Sequence, residues 1–227
     1  MDTDPLLEPP SQIPWPVGQH LVDLSATAAT AALADDPWVD LKLRAARWYI
    51  GVLQELSASS GLDRYAGVEM ALDGCLSNIS GAVDAALGRL ILALERQAGA
   101  SPSPEHTYKL ELAEKFMRQG SGNAPSVGRL RAALGVDSQG VPVGWLAELR
   151  RLRNRSTHHA TLSRHFEVEV HEPAEVSSPA AIKLSLQGGS GSVEPTAWLE
   201  SCLRQATELS NDLLLDARRS GHWFPGI

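Results

Sequence analysis

The chain has 227 residues, with 20 Lys plus Arg against 27 Asp plus Glu, a formal net charge of −7. That length carries one large domain or two small ones around a core that needs no disulfides or metals. A chain this acidic repels phosphate on average, which argues against generic coating of nucleic acid or of an anionic membrane. The start, MDTDPLLEPP, is acidic and proline-rich, the wrong chemistry for a secretory signal. The longest helical segment is broken by charges and glycines, so no membrane span is expected, and a cytoplasmic location is. Cys75 and Cys202 fall in helix-like segments and read as small buried hydrophobes. With no CxxC or HExxH pattern in the sequence, no metal and no cofactor are expected.

Residues 1–19 hold five prolines and little periodicity and read as a flexible arm. A short helix is expected over Gln19–Ala34. Asp36-Pro37 then looks like an N-cap followed by an N1 proline. It opens a helix to about Ser57 with Trp38, Leu41, Ala45, Trp48, Val52 and Leu56 on its inner face.

The segment Leu62–Gln97 is the most patterned in the chain. Leu72, Leu76, Ile79, Val83, Leu87, Leu90 and Leu94 recur at spacings of three and four, an amphipathic stripe. Gly67, Gly74, Gly81 and Gly88 recur every seven residues. Gly81 and Val83 lie about 200° apart on a helix, so the small stripe runs opposite the leucine stripe. Each interior glycine costs about 1 kcal/mol relative to alanine, and such a series is expected where another backbone approaches closely. The expectation is a long central helix packed on two faces, its small face against a neighbouring helix or a second subunit.

Further helices are expected over Glu105–Gln119, over Ser126–Leu134 (closed by Gly135), and from Trp145, with Trp145, Leu149 and Leu152 inward. Beyond residue 160 the period becomes two: Phe166, Val168 and Val170, then Ile182, Leu184 and Leu186. This suggests a small β-hairpin, at about 164–187. Gln187–Ser192 reads as a Gly/Ser hinge. Pro195 starts a last helix to about Arg218 with Trp198, Cys202, Leu203, Ala206, Leu209 and Leu213 inward. The resulting organisation is an arm (1–19), a single helical domain (20–218) and a C-terminal tail (219–227). The fold class is all-α, a helical bundle with a long central helix and a small appended β-hairpin before the last helix.

The charge is unevenly placed. Ala147–His165 contains Arg150, Arg151, Arg153, Arg155 and Arg164 against Glu148 alone, +4 in a chain that is −11 elsewhere. Arginine matches phosphate oxygens with its planar fork, and histidine is the side chain suited to proton transfer near neutral pH. On a helix, Arg150, Asn154 and His158 share one face, and Arg151, Arg155 and His159 form a second file. Arg153 and His158 stand about 140° apart, so they meet at one atom only if the helix frays, Arg153 reaches around, or a second subunit supplies the missing group. Basic residues in a last helical turn also complement the helix dipole without any function.

The run Leu152-Arg153-Asn154-x-x-x-His158, late in an all-helical domain, resembles the Arg-Asn-x-x-x-His motif of the HEPN superfamily. The apolar helix Trp145–Leu152 before it and the long helix earlier in the chain extend the likeness to roughly Asp36–His159. The resemblance implies a metal-independent endoribonuclease acting as a homodimer, two motif copies facing each other across a basic cleft. In that reading His158 is the general acid/base, Arg153 holds the scissile phosphate, and Asn154 orients the histidine or the phosphate. The product is a 2′,3′-cyclic phosphate. Many such proteins are toxins restrained by an antitoxin, or antiviral defence effectors with a partner protein. Arg150, Arg151, Arg155 and His159 would be RNA contacts. The hairpin and final helix exceed a minimal four-helix bundle.

Two other readings stay open from sequence. One is a non-catalytic HEPN-like dimeric scaffold binding a partner protein or nucleotide. The other is a DNA-binding regulator that presents Arg129 and Arg131 from Ser126–Leu134. His106, His165, His171 and His222 have no partner pattern, and Gly188–Ser192 lacks the Lys-Ser/Thr of a phosphate loop.

Overall fold

The computed structural model describes residues 33–57, 63–100, 110–120, 124–135, 141–158, 164–167, 181–186 and 192–221. The arm, most of the expected Gln19–Ala34 helix and the end of the C-terminal tail lie outside them. Leu33–Asp36 forms a bend rather than the end of a helix. Asp40 Oδ1 accepts from the backbone N–H of Leu33 at 2.6 Å and of Ala34 at 3.4 Å, which folds this stretch over the first turn that follows.

The described chain is mostly helical. Its helices are α1 (Pro37–Ser57), α2 (Asp63–Gln97), α3 (Leu110–Gly120), α4 (Pro125–Leu134), α5 (Trp145–His158) and α6 (Pro195–Arg219). Asp36 caps α1 as its sequence suggests: Oδ1 accepts from Trp38 N and Val39 N, both at 3.0 Å. Its other oxygen takes Arg89 Nε of α2 at 3.1 Å. A carboxylate only 1% exposed is thereby fully used, as burial of a charge requires.

The inner face of α1 differs from expectation. The buried residues are Val39, Leu43, Ala46, Ile50 and Leu53, whereas Trp38 and Leu41 are exposed. α1 carries two adjacent apolar stripes; of the expected one, Ala45, Trp48, Val52 and Leu56 are half-buried, with Val52 and Leu56 against the core, so it borders the buried stripe. Lys42 lies over the Trp38 ring at 4.8 Å, so that indole meets a cation instead of the core.

A half-buried file beside that stripe, Lys42, Tyr49 and Leu56, faces α2 and explains three of the glycines. A Cβ added at Gly67 would come within 3.0 Å of Leu56, at Gly74 within 2.4 Å of the Tyr49 ring, and at Gly81 within 3.0 Å of Lys42. Each seven-residue step up α2 is matched by seven residues down α1, the register of a closely packed antiparallel pair. From Gly67 to Gly81 the small face is therefore packed by α1 of the same chain. On the other side, Leu72, Leu76, Ile79, Val83, Leu87, Leu90 and Leu94 are all buried, and α2 also packs on α3, α5 and α6. By length and apolarity Gly67–Gln97 could span a membrane, contrary to the reading from its glycines and charges. Here it is the core helix, and most of that stretch is buried by the rest of the chain.

The remaining helices are pinned at their ends. α4 starts at Pro125 without a cap of its own. Its Ser126 N–H is taken by Asp216 Oδ2 of α6 at 2.9 Å, a tertiary substitute for a local cap. α6 is capped by Glu194, which accepts from Thr196 N and Ala197 N. Cys202, Leu203, Ala206, Leu209 and Leu213 point inward as expected, while Trp198 is half-buried.

Three strands lie between α5 and α6: β1 (Arg164–Glu167), β2 (Ala181–Ser185) and β3 (Ser192–Val193). They form an antiparallel sheet in the order β1-β2-β3, with Phe166 opposite Ile182 and Leu184 opposite Val193. Ser192 of the expected hinge is thus paired backbone. Val168 and Val170 lie outside the described residues.

Both cysteines are free and buried, as expected. Burial pushes the Cys202 thiol up to about 12, and Cys75, with Cys202 nearby, is raised further. In the unfolded chain both ionise near 9. The folded state keeps protons that the unfolded state gives up, so stability is intact below about pH 9 and falls as pH rises toward 12. Urea melts at pH 8 and pH 10.5 should show this loss, and a Cys75→Ala/Cys202→Ala variant should lose less over the same interval. A thiol reagent should label the native protein only as fast as it unfolds.

Candidate functional site

α5 is seated by its apolar face. Leu146, Leu149 and Leu152 are essentially inaccessible and fix the rotation of the helix against α2 and α4. That rotation aims Arg150 and Arg153, one turn apart, at the same place on α2. Asp84 receives both. Its Oδ1 accepts from Arg150 Nη2 at 2.5 Å and its Oδ2 from Arg153 Nη1 at 3.3 Å. Ser80 Oγ, one turn before Asp84, also accepts from Arg153 Nη1 at 2.8 Å.

The other edge of the Arg153 guanidinium is occupied as well. Asn154 Oδ1 accepts from Nε at 3.2 Å and from Nη2 at 3.0 Å. This Nε/Nη2 edge is one of those with which an arginine grips two oxygens of a phosphate. An amide oxygen stands where an anionic oxygen would sit.

The remaining motif residues separate into distinct roles. Arg151 forks onto Glu148 within its own helix, at 2.7 and 2.6 Å. That pairing raises its already high pKa, so Arg151 is a helix-bound ion pair and not a presented cation. Arg150, likewise expected on RNA, is committed to Asp84. Asn154 and Arg155 are exposed. α5 runs through His158 without an earlier break, so the backbone keeps the rotation between Arg153 and His158. The His158 side chain and the whole of His159 lie outside the described residues.

Searches against protein-family models, curated proteins and solved structures return no match. The site is therefore read on its own geometry.

Sequence reasoning missed Asp84 and Ser80. A signal was present: between Gly74 and Leu94 the only charged residues are Asp84 and Arg89. Isolated charges on a core helix need partners from elsewhere, and each has one, Asp84 on α5 and Arg89 at Asp36. Asp84 also changes the electrostatics, since it sets a carboxylate into the basic window and lowers the local excess. Side chains of Arg150, Arg153 and Asp84 are 23%, 29% and 27% exposed. Ion pairs this wet contribute little to stability, so the cluster fixes position more than it holds the fold.

The alternative cationic surface on α4 is exposed, but both of its arginines are ion-paired. Arg129 pairs with Asp212 of α6 at 2.9 Å, and Arg131 with Glu114 of α3 at 2.5 Å. Among the described residues no group of histidines, cysteines and acids could hold a metal ion.

Proposed function

We propose that the chain is a HEPN-like, metal-independent endoribonuclease working as a cytoplasmic homodimer, with the strands as a hairpin appended to a HEPN-type bundle. The observation that carries this reading is the anchored Arg153. Asp84 and Ser80 hold one side of its guanidinium, and Asn154 fills the edge suited to a phosphate. A scissile phosphate displaces the Asn154 oxygen and takes Nε and Nη2. The freed amide then donates to a phosphate oxygen. The ribose 2′-oxygen bonds to phosphorus as the 5′-oxygen leaves. His158 of one protomer takes the 2′-OH proton and the second protomer's copy protonates the leaving oxygen, giving a 2′,3′-cyclic phosphate and a 5′-OH. Arg153 meets the charge that develops on the phosphorane. A toxin or antiviral role under a restraining partner protein fits a nuclease whose basic patch is small and whose body is acidic.

The second reading, a non-catalytic dimeric scaffold, is favoured by the same guanidinium, because so many of its N–H groups are already satisfied within the chain. Incubation with mixed RNAs in EDTA separates the two. Cleavage to cyclic-phosphate ends that falls at least about 100-fold in His158→Ala supports the nuclease. Absence of cleavage, or cleavage unchanged in that variant, supports the scaffold.

A further inference from the structure

A groove of about 570 Å³ runs between α1 and α6, lined among others by Ile50, Gly51 and Leu203, by Arg47 and Arg204, and by one acid, Glu200. Its floor is apolar, since Ile50 and Leu203 are buried side chains at its base. Gly51 opens a notch in the α1 wall: a Cβ there would meet nothing within 4 Å. The volume is that of a small-molecule site.

The rim carries two arginines against one acid, and among the described residues neither arginine is paired with a carboxylate. Arg44, Arg89, Arg129, Arg131, Arg150 and Arg218 each engage a carboxylate. Arg47 has no acid at helical spacing; Leu43 and Gly51 stand one turn away on either side. Arg204 has Glu200 and Glu208 one turn away, the usual spacing for a helical ion pair. Yet Glu200 turns across the groove to accept from Gln54 Nε2 at 3.0 Å, and Arg204 makes only a 3.5 Å contact to Ser201 Oγ. Among the described residues neither Arg47 nor Arg204 pairs with a carboxylate, and with Glu200 held by Gln54 the two arginines leave the groove one charge positive in a protein of net charge −7, which is complementary to an anion with an apolar body.

We propose that this groove binds a small amphipathic anion, a phosphate or carboxylate head held by Arg47 and Arg204 with its apolar body on Ile50, Leu203 and the Gly51 notch. The site is separate from the α5 cluster and does not depend on the ribonuclease reading. Titration calorimetry of the full chain with octyl phosphate, below its micelle threshold, tests it. One molecule per chain is expected to bind. Binding should weaken at least about tenfold, or 1.4 kcal/mol, in Arg47→Gln/Arg204→Gln and also in Gly51→Leu. The latter fills the notch without changing charge, and circular dichroism checks that it folds. If Gly51→Leu does not fold, the charge variant decides. Inorganic phosphate alone and octyltrimethylammonium should bind at least about tenfold more weakly than octyl phosphate. The proposal is overturned if octyl phosphate does not bind, if the charge variant leaves its affinity unchanged, or if a folded Gly51→Leu does. Inorganic phosphate or the cation binding as tightly would overturn it as well.

Discussion

Gly144→Ala should destabilise the protein by about 3 kcal/mol, the upper part of the range for overpacking a close contact. Gly144 sits in the first turn of the junction from α4 to α5. A Cβ there would stand 2.2 Å from the Ala133 carbonyl oxygen and 2.6 Å from the Leu134 carbonyl carbon. Both are backbone atoms, so no rotamer change relieves the clash. The same residue donates its N–H to Leu134 O at 2.7 Å and accepts from Glu148 N at 3.0 Å. Moving it away therefore also breaks the bond that closes the loop and the bond that starts α5. Gly128→Ala is the matched control. It lies inside α4 with nothing within 4 Å of the added methyl, and should stabilise by up to about 1 kcal/mol. Urea denaturation of the two variants should shift the midpoint in opposite directions. Equal shifts would mean that Gly144 lacks the crowding described for it.

The connection of Gly144 to function is geometric. It immediately precedes α5, and α5 carries the whole arginine cluster. A displaced α5 start rotates Arg150 and Arg153 away from Asp84, whose own position is set by the buried stripe of α2. A destabilised Gly144→Ala protein that still folds at low temperature should accordingly lose site geometry before it loses helix content.

Some of this was legible in the sequence because it is local or periodic. The Asp36-Pro37 cap uses neighbouring backbone. The leucine stripe of α2 and the inward residues of α6 follow helical period. The glycine spacing was read as the close approach of another backbone, whereas the space at Gly67, Gly74 and Gly81 is filled by the side chains of Leu56, Tyr49 and Lys42, which share that face of α1 without sharing a chemistry. The inner face of α1 was misjudged by one step because two apolar stripes compete on it, and only the partner helix chooses between them. The site was half legible. A motif names Arg153 and Asn154, but the carboxylate that positions Arg153 comes from a helix about 70 residues earlier, joined to α5 only through tertiary packing. Long-range pairing of that kind leaves no period to read.

Asp84→Ala is the variant that distinguishes a positioned guanidinium from a merely basic surface. Removing the carboxylate makes the site one unit more positive. On charge alone RNA should bind more tightly and the salt dependence should steepen. On positioning, the opposite happens to the chemistry: Arg150 and Arg153 lose their common anchor, the one carboxylate that both engage. For the proposed ribonuclease, the expected result is an unchanged or lower KM with kcat reduced by about 10- to 100-fold, because an interaction realised in the transition state has been loosened. Arg153→Ala should cost more, about 100- to 1,000-fold in kcat, the range for losing one pre-placed transition-state donor. Arg153→Lys should recover little of it, since an ammonium cannot span Ser80, Asp84 and the Nε/Nη2 edge at once. Asn154→Ala vacates that edge without removing the arginine. Its KM should fall or hold, and its kcat should drop less than in Arg153→Ala. If Asp84→Ala instead raises kcat, Asp84 acts as an internal competitor for Arg153, and the Arg153–Asp84 contact is a resting arrangement that RNA must break.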